Sequence, residues 1–112
     1  MPKKYRLSGE EIRNLSPLSG GQAGKRSHGR LFSFLIAPIA TNTPKCAVVV
    51  SKKVSAKAVD RNKIKRRARN VVAKHMAGLK KSIAVVLYAK RETKDAEFSE
   101  IARDIEAFFS KL

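Results

Sequence analysis

The chain of 112 residues contains one cysteine, two histidines and no tryptophan. The single cysteine, Cys46, cannot form an intramolecular disulfide, and its apolar neighbours indicate a small core residue of a protein from a reducing compartment. His28 and His75 have no cysteine or carboxylate near them at metal-ligand spacing, so we expect no metal site made of side chains. His75 lies on the apolar side of a predicted helix, which places it in the core or at its boundary.

Acidic residues are also scarce, since nine Asp and Glu stand against 25 Lys and Arg and give a formal charge of +16. With so few acids and histidines we find no arrangement for nucleophilic or general acid–base catalysis, and we expect no catalytic residue. No run of about 18 apolar residues is present, and the first residues lack the apolar stretch of a secretory signal. We therefore expect a cytoplasmic protein whose partner is nucleic acid and not a membrane.

The positive charge is concentrated in residues 51–69, which hold nine Lys or Arg and a single acid. The apolar spacing predicts that this segment leaves a strand and enters a helix over 58–78, with Ile64 and Ala68 facing a core. The other faces would attract a polyanion, because each phosphate contact releases counterions. A solvated helix face is the alternative, but solvated faces normally carry charges of both signs.

The rest of the pattern predicts one domain over residues 1–112 with both helices and strands. A capping box that starts at Ser8 opens a short first helix, which ends at Ser16. A flexible, basic, glycine-rich loop follows at about 16–30, with room for one irregular strand. Apolar runs then predict three strands, of which the first two would form a hairpin, at residues 31–37, 46–51 and 82–89.

The last predicted element is an amphipathic helix that begins at Thr93 or Asp95. Its helical spacing places Phe98, Phe108 and Phe109 in the core. Its acids lie on the solvent side.

Two phenylalanines in the first predicted strand, Phe32 and Phe34, have period-two spacing and point to one side. They either pack in the core or stack on unpaired bases in a half-open groove, where Arg6, Arg30 or Lys90 would hold the phosphate backbone. Both interpretations stay open at this point, because a shift of one residue exchanges the two faces of a strand.

The ordered run Ser51-Lys-Lys-Val, then Ala58-Val-Asp-Arg-Asn-Lys-Ile-Lys-Arg, then Arg69 resembles the signature of the bacterial ribonuclease P protein subunit. In that family the strand-to-helix segment carries Arg-Asn-Arg followed by Ile or Leu, Lys and Arg. The order of elements is similar over nearly all of the chain. Two departures are present. Lys63 replaces the second Arg and loses its planar fork, and the first helix has Ile12, Leu15 and Ser16 where the family usually shows Phe.

The resemblance implies an α+β two-layer sandwich in the order α-β-β-β-α-β-α, with a left-handed βαβ crossover, like the second domain of ribosomal protein S5. It also implies a function. A large RNA subunit with bound Mg²⁺ would hydrolyse precursor tRNA to release the 5′ leader, while the protein would hold both RNAs and supply no catalytic residue.

The resemblance further implies two sets of RNA-binding residues. The leader of the precursor would lie beside the sheet on Arg6, Arg30, Phe32, Phe34 and Lys90. The catalytic RNA would contact the basic segment through Lys52, Lys53, Lys57, Arg61, Asn62, Lys63, Lys65, Arg66, Arg67 and Arg69. A ribosomal or RNA-chaperone protein is the alternative that the composition allows, although it would not account for the order of residues within 61–69.

Overall fold

The computed structural model describes residues 6–7, 25–38, 43–79 and 83–111. Along the chain these form strands β1 (Lys25–His28), β2 (Phe32–Pro38) and β3 (Lys45–Val49), helix α1 (Ala58–Met76), strand β4 (Ile83–Ala89), a 3₁₀ helix (Arg91–Asp95) and helix α2 (Phe98–Phe109). The order confirms the predicted β-β-β-α-β-α part of the fold. The predicted helix at 8–16 and the loop residues 16–24 lie outside the described residues, and the end of the predicted loop is a regular strand, β1.

The four strands form one sheet in the order β1-β2-β4-β3. Strand β2 pairs antiparallel with β1 and with β4, and β3 runs parallel to β4. The predicted hairpin of β2 with β3 is therefore wrong, because β4 lies between them. The reason is the composition of β4, whose unbroken apolar run is stable only in the middle of a sheet covered on both faces.

Helix α1 connects β3 to β4, two parallel neighbours, and so forms the expected βαβ crossover. Its left-handedness stays a prediction. The helix buries a stripe at three- and four-residue spacing, from Ile64 through Ala68 to Met76. It ends at Met76, two residues before the predicted end. No helix in the described part of the chain is long and apolar enough to cross a membrane.

The core lies between the two helices and one face of the sheet, which we call the inner face. Phe34 on β2 stacks on Phe108 of α2, with ring centroids 4.0 Å apart and planes 4° from parallel. Phe108 in turn meets Phe109 edge-on at 5.3 Å. His75 stacks on Phe109 at 5.0 Å while remaining partly exposed, as expected for a boundary residue. Phe98, which was predicted to be core, is 42% exposed because it is the first residue of α2.

The core position of Phe34 yields a stability prediction. We expect Phe34→Ala to lower the free energy of unfolding by about 3–5 kcal/mol, since it leaves a cavity and removes the stacking on Phe108. Urea denaturation of the free protein measures this loss. Phe98→Ala is the matched control and should cost far less, because that ring is already partly in water. Similar losses for the two variants would contradict the assigned core.

Candidate nucleic-acid interface

Helix α1 presents positive charge on every side except its buried stripe. Between Lys52 and Lys74 the chain carries ten Lys and Arg, and Asp60 is the only acid. Arg66 lies on the exposed face with Asn62 and Lys63, opposite the core. The flanks of the helix hold four half-buried cations, namely Arg61, Lys65, Arg67 and Arg69. The structure therefore brings all six predicted cations of the helix onto one continuous surface, which we call the basic face.

Three lysines extend this basic face beyond the helix. A turn closed by the hydrogen bond from the Val54 N–H to the Ser51 carbonyl, 3.1 Å, follows strand β3. Lys52, Lys53 and Lys57 are exposed on this turn and at the start of α1. The amino end of the α1 dipole lies at this turn and adds partial positive charge to it.

Arg61 has a structural role that sequence spacing does not reveal. Its Nη1 donates to the carbonyl oxygens of Ser55 and Ala56, each at 2.9 Å. The buried Ser55 hydroxyl donates to Asp60 Oδ2 at 3.1 Å and accepts from the Lys57 N–H at 3.3 Å. Asp60 and Arg61 thus hold the lysine-bearing turn against the first turn of α1. Asp60, the only acid of the basic segment, is thus bonded within the protein and lies away from the exposed face around Arg66.

Arg69 lies at the other end of the basic face, close to the buried Cys46 of β3. Burial raises the pKa of the Cys46 thiol to about 12, and the positive charge of Arg69 partly opposes this rise. The thiol is therefore protonated at neutral pH and unreactive, as expected for a core cysteine.

Lys63 and Arg67 also line a cleft of about 140 Å³ between α1 and the 3₁₀ helix. The cleft holds the carboxylates of Asp60 and Asp95 as well as Lys94. Its mixed charge makes this flank of α1 less attractive to phosphate than the exposed face around Arg66. Within the described residues, no group of three or more His, Cys, Asp or Glu side chains is placed to hold a metal ion.

The five predicted leader-binding residues do not form one site. Phe32 is 0% and Phe34 2% exposed, and both point into the core. Their assignment to a leader groove is wrong, since a base cannot stack on a ring that is fully enclosed. Arg6 pairs with Cys46 beside β3, whereas Arg30 follows β1 at the opposite edge of the sheet, and both are exposed. The Lys90 ammonium donates to the Gly29 carbonyl at 2.7 Å.

The opposite, outer face of the sheet carries exposed polar and aromatic groups that are not among the predicted site residues. The strand registers align His28 with Ser33, Ser33 with Tyr88, and Tyr88 with Val49, in a line across all four strands. We call these four residues the outer row. His28 is exposed, the other three are partly exposed, and His28 Nδ1 lies 3.2 Å from Ser33 Oγ. The sequence signal for this face is Tyr88, a ring with a hydroxyl group near the end of an otherwise apolar strand.

A second line of residues lies beside the outer row. Arg26 is exposed and stands opposite Leu35, which is buried together with Val86 and Ala47. Leu7 and Tyr88 pack against this small apolar cluster. The outer face thus combines a small buried apolar cluster, the exposed ring of His28, the partly exposed ring of Tyr88 and the exposed cation Arg26 at one edge.

The comparison with known proteins identifies the family of this chain and agrees with its fold. The family model described as Ribonuclease P matches residues 1–112 of this chain. The chain belongs to the ribonuclease P protein family. The ribonuclease P protein component of Syntrophus aciditrophicus (strain SB) is 29% identical over 90 residues, which are 80% of this chain and 75% of that protein. The corresponding protein of a Nocardioides species is 36% identical over 69 residues, 62% of this chain and 58% of that one.

Solved structures of ribonuclease P proteins share the fold. The protein of Staphylococcus aureus is 23% identical with a TM-score of 0.79, covering 92% of this chain and 90% of that one. The protein of Thermotoga maritima was solved in complex with 1-(4-fluorophenyl)-2-thiourea. It is 19% identical with a TM-score of 0.71, and the match covers 80% of this chain and 86% of that one. The predicted resemblance and fold class are confirmed, and the chain is a protein component of ribonuclease P, a ribonucleoprotein of tRNA processing.

The hydrogen bonds of Arg61 distinguish it from Arg66. We expect Arg61→Ala to lower the free energy of unfolding by about 1–3 kcal/mol, because two charge-assisted bonds to carbonyl groups are lost. Arg66→Ala removes an equal charge from an exposed position and should change it by no more than about 0.5 kcal/mol. Urea denaturation of both variants makes the comparison, and equal losses would show that the Arg61 bonds contribute nothing.

Proposed function

We propose that the basic face binds the catalytic RNA subunit of ribonuclease P through its phosphate backbone. The observation that carries this proposal is the set of ten cations between Lys52 and Lys74 on an exposed helix and its leading turn, with a single acid that is bonded internally. Each phosphate neutralised here releases counterions, so affinity should fall steeply with salt. Within this scheme Lys52, Lys53 and Lys57 act through charge on the leading turn, and Arg66 acts from the centre of the exposed face.

Arg61 has a double role in this proposal. Its Nη1 is used by the carbonyl groups of Ser55 and Ala56, which leaves the rest of the guanidinium for a phosphate. Lys63 offers a point charge in place of the planar fork that the family usually has at this position, so its contact is less directional.

The 5′ leader of precursor tRNA, in this proposal, lies on the outer row of the sheet and not on Phe32 and Phe34. Tyr88 and His28 present partly exposed or exposed rings, which is what stacking on unpaired bases requires. Arg26 at the edge would hold the leader backbone. The row runs toward Val49 at the end of β3, from which the chain continues into the turn with Lys52 and Lys53, so leader and catalytic RNA would meet at neighbouring surfaces.

Hydrolysis of the precursor, as proposed here, takes place on the RNA subunit with Mg²⁺ bound mainly by that RNA. The protein would lower the repulsion between two RNAs and position the leader, acting in the cytoplasm. Because the RNA holds the metal, no residue of this chain is assigned as a metal ligand.

Reconstitution tests this function directly. Addition of the protein to a bacterial ribonuclease P RNA at low Mg²⁺ should accelerate cleavage of precursor tRNA at the mature 5′ end, since the protein's charge replaces part of the ionic screening. Protein freed of RNA should leave the precursor intact. Cleavage by the protein alone would contradict the proposal, and so would stimulation equally produced by an unrelated basic RNA-binding protein.

Arg66→Glu tests the basic face. We expect affinity for the catalytic RNA to fall by about 1.5–3 kcal/mol for the lost charge-assisted contact, with repulsion added, and the salt slope to decrease by about one. Filter binding over a range of salt concentrations measures both. Lys111→Glu changes the net charge equally at an exposed position beyond α2 and is the control. Equal effects of the two variants would mean that only overall charge matters.

A further inference from the structure

The turn between β1 and β2 is held by a carboxylate from a distant helix. Asp104 of α2 accepts three backbone N–H groups: its Oδ1 from Arg30 at 2.9 Å, and its Oδ2 from Leu31 at 3.1 Å and from Phe32 at 3.0 Å. Charge-assisted bonds of this kind are among the strongest in proteins. Asp104 is one of only nine acids in the chain, and its carboxylate is used to bind this turn.

The turn lacks one of the two hydrogen bonds that normally close a hairpin. The Gly29 N–H donates to the Phe32 carbonyl at 2.8 Å, but the Phe32 N–H donates to Asp104. The Gly29 carbonyl instead accepts from the Lys90 ammonium at 2.7 Å. Two backbone groups that would ordinarily bond to each other are thus satisfied by α2 and by the residue after β4. We call Asp104, Lys90 and Gly29 the turn clasp.

The fit of the clasp is tight. A Cβ atom at Gly29 would lie 2.6 Å from Asp104 Oδ1, closer than real side chains approach. Glycine at this position allows the carboxylate to approach the backbone of the turn. The carboxylate of α2 and the backbone of the turn are therefore in direct contact.

The clasp adjoins the outer row. His28 immediately precedes Gly29, and its partner Ser33 follows Phe32. Within the described residues β1 pairs only with β2, so its free end is positioned by this pairing and by the turn. Asp104 itself is negative and partly buried on the side of the core helices, where a phosphate would be repelled.

We infer that Asp104 and Lys90 are positioning residues for leader recognition: by holding the β1–β2 turn they set the location of His28 on the outer row. This inference rests on the proposed leader-binding role of the outer row. It assigns Lys90 to holding the turn and not to the predicted contact with the leader.

The Asp104→Asn variant tests this inference, because its change in charge and its loss of a positioning contact have opposite effects on RNA affinity. Asp104→Asn keeps the size of the side chain, loses the full charge and sets an amide N–H₂ against backbone N–H donors. Because the variant is more positive, simple electrostatics predicts tighter binding of every RNA. A positioning role predicts weaker binding of precursor tRNA that carries a leader of several nucleotides. We expect affinity to fall by about tenfold, which corresponds to the loss of one base–aromatic contact. Binding of mature tRNA should be unchanged.

The experiment measures affinities of reconstituted holoenzymes for precursor and mature tRNA, beside thermal unfolding of each free variant. Glu100→Gln is the control, since Glu100 lines the same cleft of about 230 Å³ as Asp104 and the change removes the same charge. Gly29→Ala is a second variant that displaces the carboxylate from the turn without changing charge, and it should give the same leader-dependent loss. Tyr88→Ala tests the outer row itself.

The outcomes separate this inference from the proposed function. Leader-dependent losses with Asp104→Asn, Gly29→Ala and Tyr88→Ala, but not with Glu100→Gln, support it. A leader-dependent loss with Tyr88→Ala alone overturns the positioning role of the turn clasp but supports leader binding on the outer row. No loss with any of these variants overturns both the positioning role and leader binding on the outer row. Equal weakening of precursor and mature tRNA with lower thermal stability would show that Asp104 only stabilises the fold. Failure of both clasp variants to fold would overturn the inference in the same way.

Discussion

The architecture depends on the burial of β4. The side chains from Ala84 to Leu87 are fully buried, so this strand needs cover on both faces as well as hydrogen-bond partners on both edges. Strands β2 and β3 supply the two edges. Because β3 is parallel to β4, the chain must return to the starting end of the sheet before β4 begins, and α1 makes that return. The location of the basic helix therefore follows from the pairing of an apolar strand.

Acidic and basic residues of this protein are concentrated in different segments of the chain. Six of its nine acids lie from Glu92 to Glu106, on the 3₁₀ helix, at the residue before α2 and on α2. Asp60 accepts a hydrogen bond from the Ser55 hydroxyl. Asp104 accepts hydrogen bonds from backbone N–H groups of the β1–β2 turn. The cations of α1 are thus left with little internal compensation, and they repel one another in the free protein. In the proposed complex, phosphates on the basic face would relieve that repulsion and so stabilise the fold.

Several cations contribute to the fold before they meet any ligand. Arg61 fastens the lysine-bearing turn to α1, and Lys90 closes the β1–β2 turn. In each case the positive group is bound to backbone carbonyl oxygens, which are the acceptors available where acids are scarce. A basic residue in an RNA-binding pattern can therefore act by shaping the surface as well as by contacting phosphate.

The family, the order of the described elements, the core stripe of α1 and the position of the basic segment along the chain could all be predicted from the sequence. These are local properties, since they depend on spacing within one segment and on the scarcity of acids near it. Tertiary structure decided which strands pair, and so replaced the expected β2–β3 hairpin with β4 between them. It also decided which face of β2 is open: Phe32 and Phe34 are enclosed because α1 and α2 cover that side, whereas the face with Ser33 and Tyr88 stays partly exposed. Period two places Phe32 and Phe34 on one face but does not say which face the helices cover, because that depends on packing between residues far apart in the chain. The bonds of Asp104 to a turn more than seventy residues away have the same origin.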